Sequence, residues 1–177
     1  AYEVLTNLSS TKNNIILDFN YTASTRLILK QCGLSDEDID NRLIKVHGEA
    51  SNNDIIFGVE DNAGIKKEHV FLRKAYNIKY KALNFSELYD RIKSVAIFGH
   101  SLGETDHTYF NKLFQESCMY NKFSTNNNKE FWLFYYKENG YHCMMQQLDS
   151  LTHNSLTSFR QYNRVNFINT DKEKVFI

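Results

Sequence analysis

The sequence contains no proline, no excess of charge of either sign and no long apolar run. Lys plus Arg and Asp plus Glu number 21 each, so the formal net charge is zero. A chain without basic blocks has no electrostatic footprint for DNA or RNA. No apolar run approaches the roughly 20 residues that a membrane span needs. The missing proline, beside abundant asparagine, is interpreted as genomic bias, because no rule of folding demands it.

Cysteine is also scarce. Cys32, Cys118 and Cys143 are scattered, odd in number and without CxxC spacing, which indicates a reducing compartment and no disulfide framework. Residues 1–10 lack the basic start and apolar run of a signal peptide. We therefore expect a cytoplasmic protein with no membrane partner. Its 177 residues, 42% of them apolar, predict a single domain with a real core.

Short apolar runs rich in Ile, Val, Phe and Tyr predict the strands, several of them buried on both faces. They lie at residues 14–20, 43–47, 54–59, 94–98, 130–136 and, more weakly, 164–168. Helical periodicity lies between them, at residues 22–31, 65–80, 84–93, 105–120, 141–150 and 154–163. This alternation predicts a three-layer α/β domain, with a mainly parallel sheet and helices on both faces.

Polar side chains follow three of the predicted strands. Asn20 follows the first strand, His47 ends the second, and a polar loop at residues 99–106 follows the fourth. Ligands of parallel α/β sheets bind beyond the carboxyl ends of the strands. We therefore expect these three stretches to converge on one edge of the sheet.

The loop 99–106 runs directly into a predicted helix. Gly99 permits a tight turn, Gly103 permits close backbone approach, and Ser101, Thr105 and Asp106 can cap the helix. A helix N-terminus suits an anion or a ribose phosphate. An ordinary glycine-containing turn explains the same residues and stays an alternative.

Asn20 and His47 also have simpler explanations. An asparagine often bonds a nearby turn, and a histidine at a strand end can be a core residue. His47 could equally act as an acid or base near neutral pH. His100 and His107 lie near Asp106, but a metal site needs three or four converging ligands, and we expect no metal.

Three segments occur in order along the chain, FNYT at residues 19–22, VHGE at 46–49 and IFGHSLGETD at 97–106. With IIFG at 55–58 and DHTYF at 106–110, they resemble the bacteriophage abortive infection AbiH family over about residues 14–114. The resemblance implies a role in phage defence.

AbiH proteins are in turn similar to sirtuin-like domains, and this implies a doubly wound sheet that binds NAD. By matching motif, Asn20 and His47 would be catalytic. Residues that would bind the cofactor are Gly99, His100, Ser101, Leu102, Gly103 and Asp106. Thr22 and His100 depart from the pattern, which commonly has Asp and Tyr or Thr there.

Such families begin with a strand and a Gly-rich turn, and nothing similar precedes Asn14. We therefore expect this chain to be the C-terminal portion of a longer protein, lacking the first strand and the Gly-rich turn. The missing portion would be its partner, and the chain alone would be inactive.

Three functions follow for the full-length protein. The first is an NAD glycohydrolase-like hydrolase. The second is a nucleotide-sensing or protein-interaction module without turnover. The third, a toxin directed at nucleic acid, is disfavoured by the balanced charge. The sequence leaves open the phage trigger and the oligomeric state.

Overall fold

The computed structural model describes residues 14–59, 63–76, 91–119 and 128–171. The chain divides into two compact units, residues 1–82 with 175–177 and residues 83–174. The strands are β1 (Ile16–Asp18), β2 (Leu43–Lys45), β3 (Ser94–Ile97), β4 (Glu130–Tyr135) and β5 (Arg164–Asn169). The α-helices are α1 (Ser24–Gln31), α2 (Asp36–Arg42), α3 (His107–Ser117), α4 (Lys137–Leu151) and α5 (Leu156–Tyr162).

In the first unit, β1 and β2 form a parallel pair. Ile16 lies opposite Leu43, and Asp18 lies opposite Lys45. The connection between the strands contains α1 and α2, as a parallel crossover requires. A small core of Leu29, Ile39 and Leu43 joins the helices to β2.

The second unit contains a three-stranded parallel sheet in the order β3-β4-β5. β4 is central, and all six of its residues pair with β5, from Glu130 opposite Arg164 to Tyr135 opposite Asn169. Phe131 on β4 packs against Phe114 of α3 and Phe159 of α5, with ring centroids 5.6 and 4.8 Å away. All three rings are fully buried, so they form the centre of this unit's core.

The structure confirms the α/β class and the parallel pairing of the strands. The described strands form two sheets, one of two strands and one of three, and not the single sheet expected from the alternation. None of the helices within the described ranges is long and apolar enough to cross a bilayer.

Two predicted elements are wrong. Residues 54–58 form no strand, and Val59 makes only an isolated bridge to Arg73. That bridge holds Arg73 in an extended conformation (φ −70°, ψ 137°) and so interrupts the long helix predicted at 65–80. Two short 3₁₀ turns, Lys67–Leu72 and Lys74–Tyr76, stand in its place, and residues 77–80 of that prediction lie outside the described residues. The helix predicted at 84–93 falls, up to residue 90, outside the described residues.

Helix α2 was missed by periodicity because only Ile39 on it is buried. Its start nevertheless has a clear local signal. The Ser35 hydroxyl accepts a hydrogen bond from the Asp38 N–H at 3.1 Å, and the first turn is acidic. Both features favour a helix N-terminus.

Candidate functional site

The loops that follow β1 and β2 lie side by side. The Val46 N–H donates to the Asp18 carbonyl oxygen at 3.0 Å, and the Ala50 N–H donates to the Tyr21 carbonyl oxygen at 2.8 Å. We call residues 18–22 and 45–49 the β1–β2 corner. It forms because parallel strands end at the same edge of their sheet.

A buried ion pair fastens this corner. The Lys45 Nζ lies 2.8 Å from the Asp18 Oδ2, and these side chains are only 16% and 3% exposed. The same ammonium donates to the carbonyl oxygens of Asn20 at 2.5 Å and Thr22 at 2.7 Å. Burying a charge is costly unless its hydrogen bonds are made, and here three acceptors surround one lysine. Lys45 therefore holds the loop of Asn20 against the strand that leads to His47.

Asn20 is bound to the same carboxylate. Its backbone N–H and its side-chain Nδ2 donate to the Asp18 Oδ1 at 2.9 and 3.2 Å. This is the turn-bonding geometry given above as the simpler explanation of Asn20. Its side chain is exposed, so a role toward a ligand stays a prediction.

His47 lies among aromatic rings. Its side chain is only 5% exposed. The Phe19 ring meets it edge-on, with centroids 5.4 Å apart, and the Tyr21 ring lies 6.0 Å away. The His47 carbonyl oxygen accepts a hydrogen bond from the Ile56 N–H at 2.9 Å. The imidazole is therefore placed by packing, and its catalytic role stays a prediction.

Gly48 and Asp54 fix the second loop. Gly48 has φ +74°, and a Cβ on it would lie 2.1 Å from the Asp54 carbonyl oxygen. The Glu49 N–H donates to the Asp54 Oδ1 at 2.6 Å. Glu49 itself is buried, and its carboxylate accepts a hydrogen bond from Ser51. Only glycine fits at position 48.

The corner therefore depends on three charged residues, Asp18, Lys45 and Asp54, and each lies directly before one of the sequence motifs. A signal for two of them was present, since Asp18 and Lys45 each interrupt an apolar run. Knowing that they pair requires the register of β1 on β2, which places them opposite each other.

The loop 99–106 belongs to the second unit. Gly99 has φ +65°, as its predicted turn requires, and Leu102 has φ +54° with a fully buried side chain. A left-handed conformation is uncommon for leucine and costs energy. Here the Leu102 N–H donates to the His100 Nδ1 at 2.9 Å, and its carbonyl oxygen accepts from the His107 Nε2 at 3.0 Å. Two histidines thus hold the turn.

His100 also bonds the start of α3. Because its Nδ1 accepts a hydrogen bond, the proton lies on Nε2, which is 3.3 Å from the Asp106 Oδ2. Asp106 occupies the N-cap position of α3 but makes no side-chain cap hydrogen bond. The prediction that Asp106 caps α3 is therefore wrong, since the Asp106 carboxylate faces His100.

In the described part of the chain, no backbone beyond its chain neighbours lies close to the position that a Cβ of Gly103 would take, and the contact of Gly103 with a cofactor stays a prediction. It has φ −59°, and a Cβ there would meet the Ser101 Oγ at 3.4 Å, an ordinary contact. The backbone does not demand glycine at this position.

The predicted site residues thus fall into two groups. Asn20 and His47 lie on adjacent loops of the first unit, while Gly99, His100, Ser101, Leu102, Gly103 and Asp106 share one loop of the second. Their common cleft stays a prediction. Within the part of the chain that the structure describes, no three His, Cys, Asp or Glu residues form a group that could hold a metal ion.

Comparison with known proteins gives one match. The family model described as Bacteriophage abortive infection AbiH matches residues 2–136. No curated protein and no solved structure matches the chain. The matched range includes the β1–β2 corner, the loop 99–106 and strand β4, and it covers well over half of the chain. The chain therefore belongs to the bacteriophage abortive infection AbiH family, and this gives it a role in phage defence.

Proposed function

We propose that this phage-defence protein binds a nucleotide, NAD, at the β1–β2 corner. The observation that supports this most is the fixed approach of the Asn20 loop to the His47 loop at the carboxyl end of two parallel strands. In the finer proposal the fold is of the sirtuin-like doubly wound type. Considered by itself, the loop 99–106 offers backbone groups and the start of α3 that suit the ribose or phosphate oxygens of a nucleotide.

The proposed reaction in the full-length protein is hydrolysis of NAD. The bond between the nicotinamide nitrogen and the ribose carbon breaks, water adds to that carbon, and nicotinamide and ADP-ribose are released. Asn20 would orient the water or a ribose hydroxyl, and His47 would accept a proton. Positive charge develops on the ribose in the transition state. The buried carboxylates of Asp18 and Glu49, against the single ammonium of Lys45, favour such charge.

A second candidate is binding without turnover, as in a nucleotide sensor. Two contacts favour it. The Asn20 amide already donates to Asp18, and the His47 imidazole is buried against Phe19 and Tyr21. A ligand would then bind at the corner, and neither side chain would act on it as a general base.

The test for hydrolysis uses Asn20→Ala and His47→Ala in the intact protein, activated by infection. We expect each variant to lower nicotinamide release by about 100-fold or more, because each removes a group that acts on the reacting atoms. The matched control is His142→Ala, on the exposed face of α4. Thermal melting confirms that each variant is folded. Undiminished nicotinamide release in both variants would contradict the mechanism.

Calorimetry with NAD and ADP-ribose separates the two candidates. Binding with nicotinamide release supports the hydrolase, and binding without release supports the sensor. If the intact protein binds neither ligand, the nucleotide site itself is rejected.

A further inference from the structure

Phe57 is an exposed aromatic residue on a fixed piece of backbone. Its side chain is 70% exposed, although Ile56 before it is buried and bonded to His47 through the backbone. After it, Gly58 lies so close to the Leu72 carbonyl oxygen that a Cβ would approach to 2.5 Å. Since the residues on both sides are held, the exposed phenyl group is presented to solvent in a defined place.

Three rings form a series from the core of the first unit to its surface. The Tyr21 ring lies 6.0 Å from the His47 ring, tilted by 31°, and the Phe57 ring lies 5.4 Å from the Tyr21 ring, tilted by 38°. Exposure rises along the series, from the buried His47 to the 36% exposed Tyr21 and then to Phe57. Such a series ends in an aromatic face that another planar ring could cover.

The charges beside these rings are mostly negative. The carboxylates are those of Asp18 and Glu49, which are buried, and of Asp54, which accepts a hydrogen bond from the Glu49 N–H. Two cations stand against these three carboxylates, Lys45, which contacts Asp18, and the buried Lys74, whose side chain packs against Gly58. This balance opposes an anionic phosphate and favours a cation.

Besides Lys45, the charge of Arg26 acts on Glu49. Its hydrogen bond to Asp40, with the charges of Asp40 and Asp36, raises the pKa of Arg26. The Arg26 guanidinium lies 3.3 Å from the Asp36 Oδ1 and also contacts the Asp40 carboxylate. Its charge is therefore balanced by carboxylates of α2 and leaves the corner negative.

We propose that Tyr21 and Phe57 form a stacking platform for a planar cationic ring, the pyridinium of an oxidised nicotinamide nucleotide. The proposal rests on the proposed function and sharpens it, because it assigns the nicotinamide end of the ligand to this corner and places the pyrophosphate elsewhere. A cationic ring gains both from stacking on aromatic faces and from the nearby carboxylates.

The test compares an oxidised ligand with a reduced one. Carba-NAD keeps the pyridinium charge but resists cleavage, whereas NADH carries a neutral dihydropyridine and the same adenosine and pyrophosphate. NADH binding is followed by its fluorescence in the intact protein, and carba-NAD is measured by displacement. We expect the intact protein to prefer carba-NAD by about tenfold, the size of a favourable cation–π contact.

Phe57→Leu removes the aromatic face and keeps apolar bulk, so we expect it to abolish most of this preference. The matched control is Phe71→Leu, since Phe71 is 64% exposed in the same unit and its ring contacts His69. Thermal melting should be unchanged in both variants, because both side chains face solvent. The platform is supported if the preference for carba-NAD over NADH is lost in Phe57→Leu and kept in Phe71→Leu.

Some results would overturn the stacking platform alone, and others would also reject the proposed nucleotide site. Equal affinity for the two ligands, or a preference that survives Phe57→Leu, rejects the platform and leaves nucleotide binding intact. Failure to bind carba-NAD, NADH and ADP-ribose alike rejects the nucleotide site together with the platform.

Discussion

Gly48 is the residue at which the β1–β2 corner is most sensitive to substitution. Its backbone is left-handed, and the Asp54 carbonyl oxygen fills the space of a side chain. Gly33, in the turn after α1, has a similar left-handed backbone (φ +89°) with nothing within 4 Å of a Cβ. A side chain at position 33 would therefore meet only the unfavourable backbone conformation, whereas one at position 48 would also clash with the Asp54 carbonyl oxygen.

We expect Gly48→Ala to lower the free energy of unfolding by about 3 kcal/mol or more, because a backbone clash adds to the conformational cost. Gly33→Ala should cost only about 1 kcal/mol, from conformation alone. Urea denaturation of both variants measures the difference. Equal losses would mean that the contact with Asp54 yields easily.

At the scale of single residues, the sequence predicts where a residue lies along a strand better than it predicts which side chain that residue contacts. Asn20 and His47 can be placed at strand ends from the order of apolar runs and polar residues. The pairing of Asp18 with Lys45 could not be predicted, because it depends on which strands are neighbours and in which register.

Among the elements, α2 shows how much a cap contributes where little surface is buried. The Ser35 hydroxyl accepts from the Asp38 N–H and donates to the Asp38 carboxylate at 2.7 Å. Helix α5 offers a comparison, because Ser155 occupies its N-cap position without a side-chain cap hydrogen bond.

Ser35→Ala should lower the free energy of unfolding by about 1 kcal/mol, the usual value of a serine N-cap. Ser155→Ala should change it by less than about 0.5 kcal/mol, since no cap bond is lost. Chemical denaturation followed by circular dichroism measures both. A loss in Ser155→Ala as large as in Ser35→Ala would show that the Ser35 bond is not what stabilises α2.

Sequence periodicity predicts an element well where the tertiary contacts of that element favour the same secondary structure. Five of the six predicted strands and the helices near α1, α3, α4 and α5 are confirmed. The helix predicted at 65–80 fails because the bridge between Val59 and Arg73 extends the chain at Arg73. In the strand predicted at 54–59, the Ile56 N–H bonds the His47 carbonyl oxygen and only Val59 makes a bridge. A contact between residues so far apart in sequence overrides local preference and leaves no local signal.

For the whole molecule, each of the two units has a core of its own. The first is centred on Leu29, Ile39 and Leu43, and the second on Phe114, Phe131 and Phe159. The single tryptophan, Trp132, lies on β4 beside Phe131, so its fluorescence reports on the second unit. The α/β class was predictable from alternation, whereas division of the strands into two sheets was not, because pairing is decided between distant segments.

Phe131→Ala should lower the free energy of unfolding reported by Trp132 by about 3–5 kcal/mol, the usual cost of emptying a buried phenylalanine site. Leu29→Ala, in the first core, should lower the denaturant midpoint of the unfolding followed by circular dichroism. It should leave unchanged the midpoint of the unfolding followed by Trp132 fluorescence. If Leu29→Ala displaces the Trp132 transition as far as Phe131→Ala does, the two units unfold as one.

The close approach of Asp54 to Gly48 also limits how the intervening segment can evolve. Ala50 and Asn52 are exposed and open to substitution, whereas Ser51 bonds the buried Glu49 carboxylate and Asn53 has a left-handed backbone. The length of the segment is fixed by the contact between Gly48 and Asp54. One inserted or deleted residue would carry the Asp54 carbonyl away from the glycine and its carboxylate away from the Glu49 amide. Substitutions should therefore accumulate at positions 50 and 52 while the number of residues in the segment stays constant.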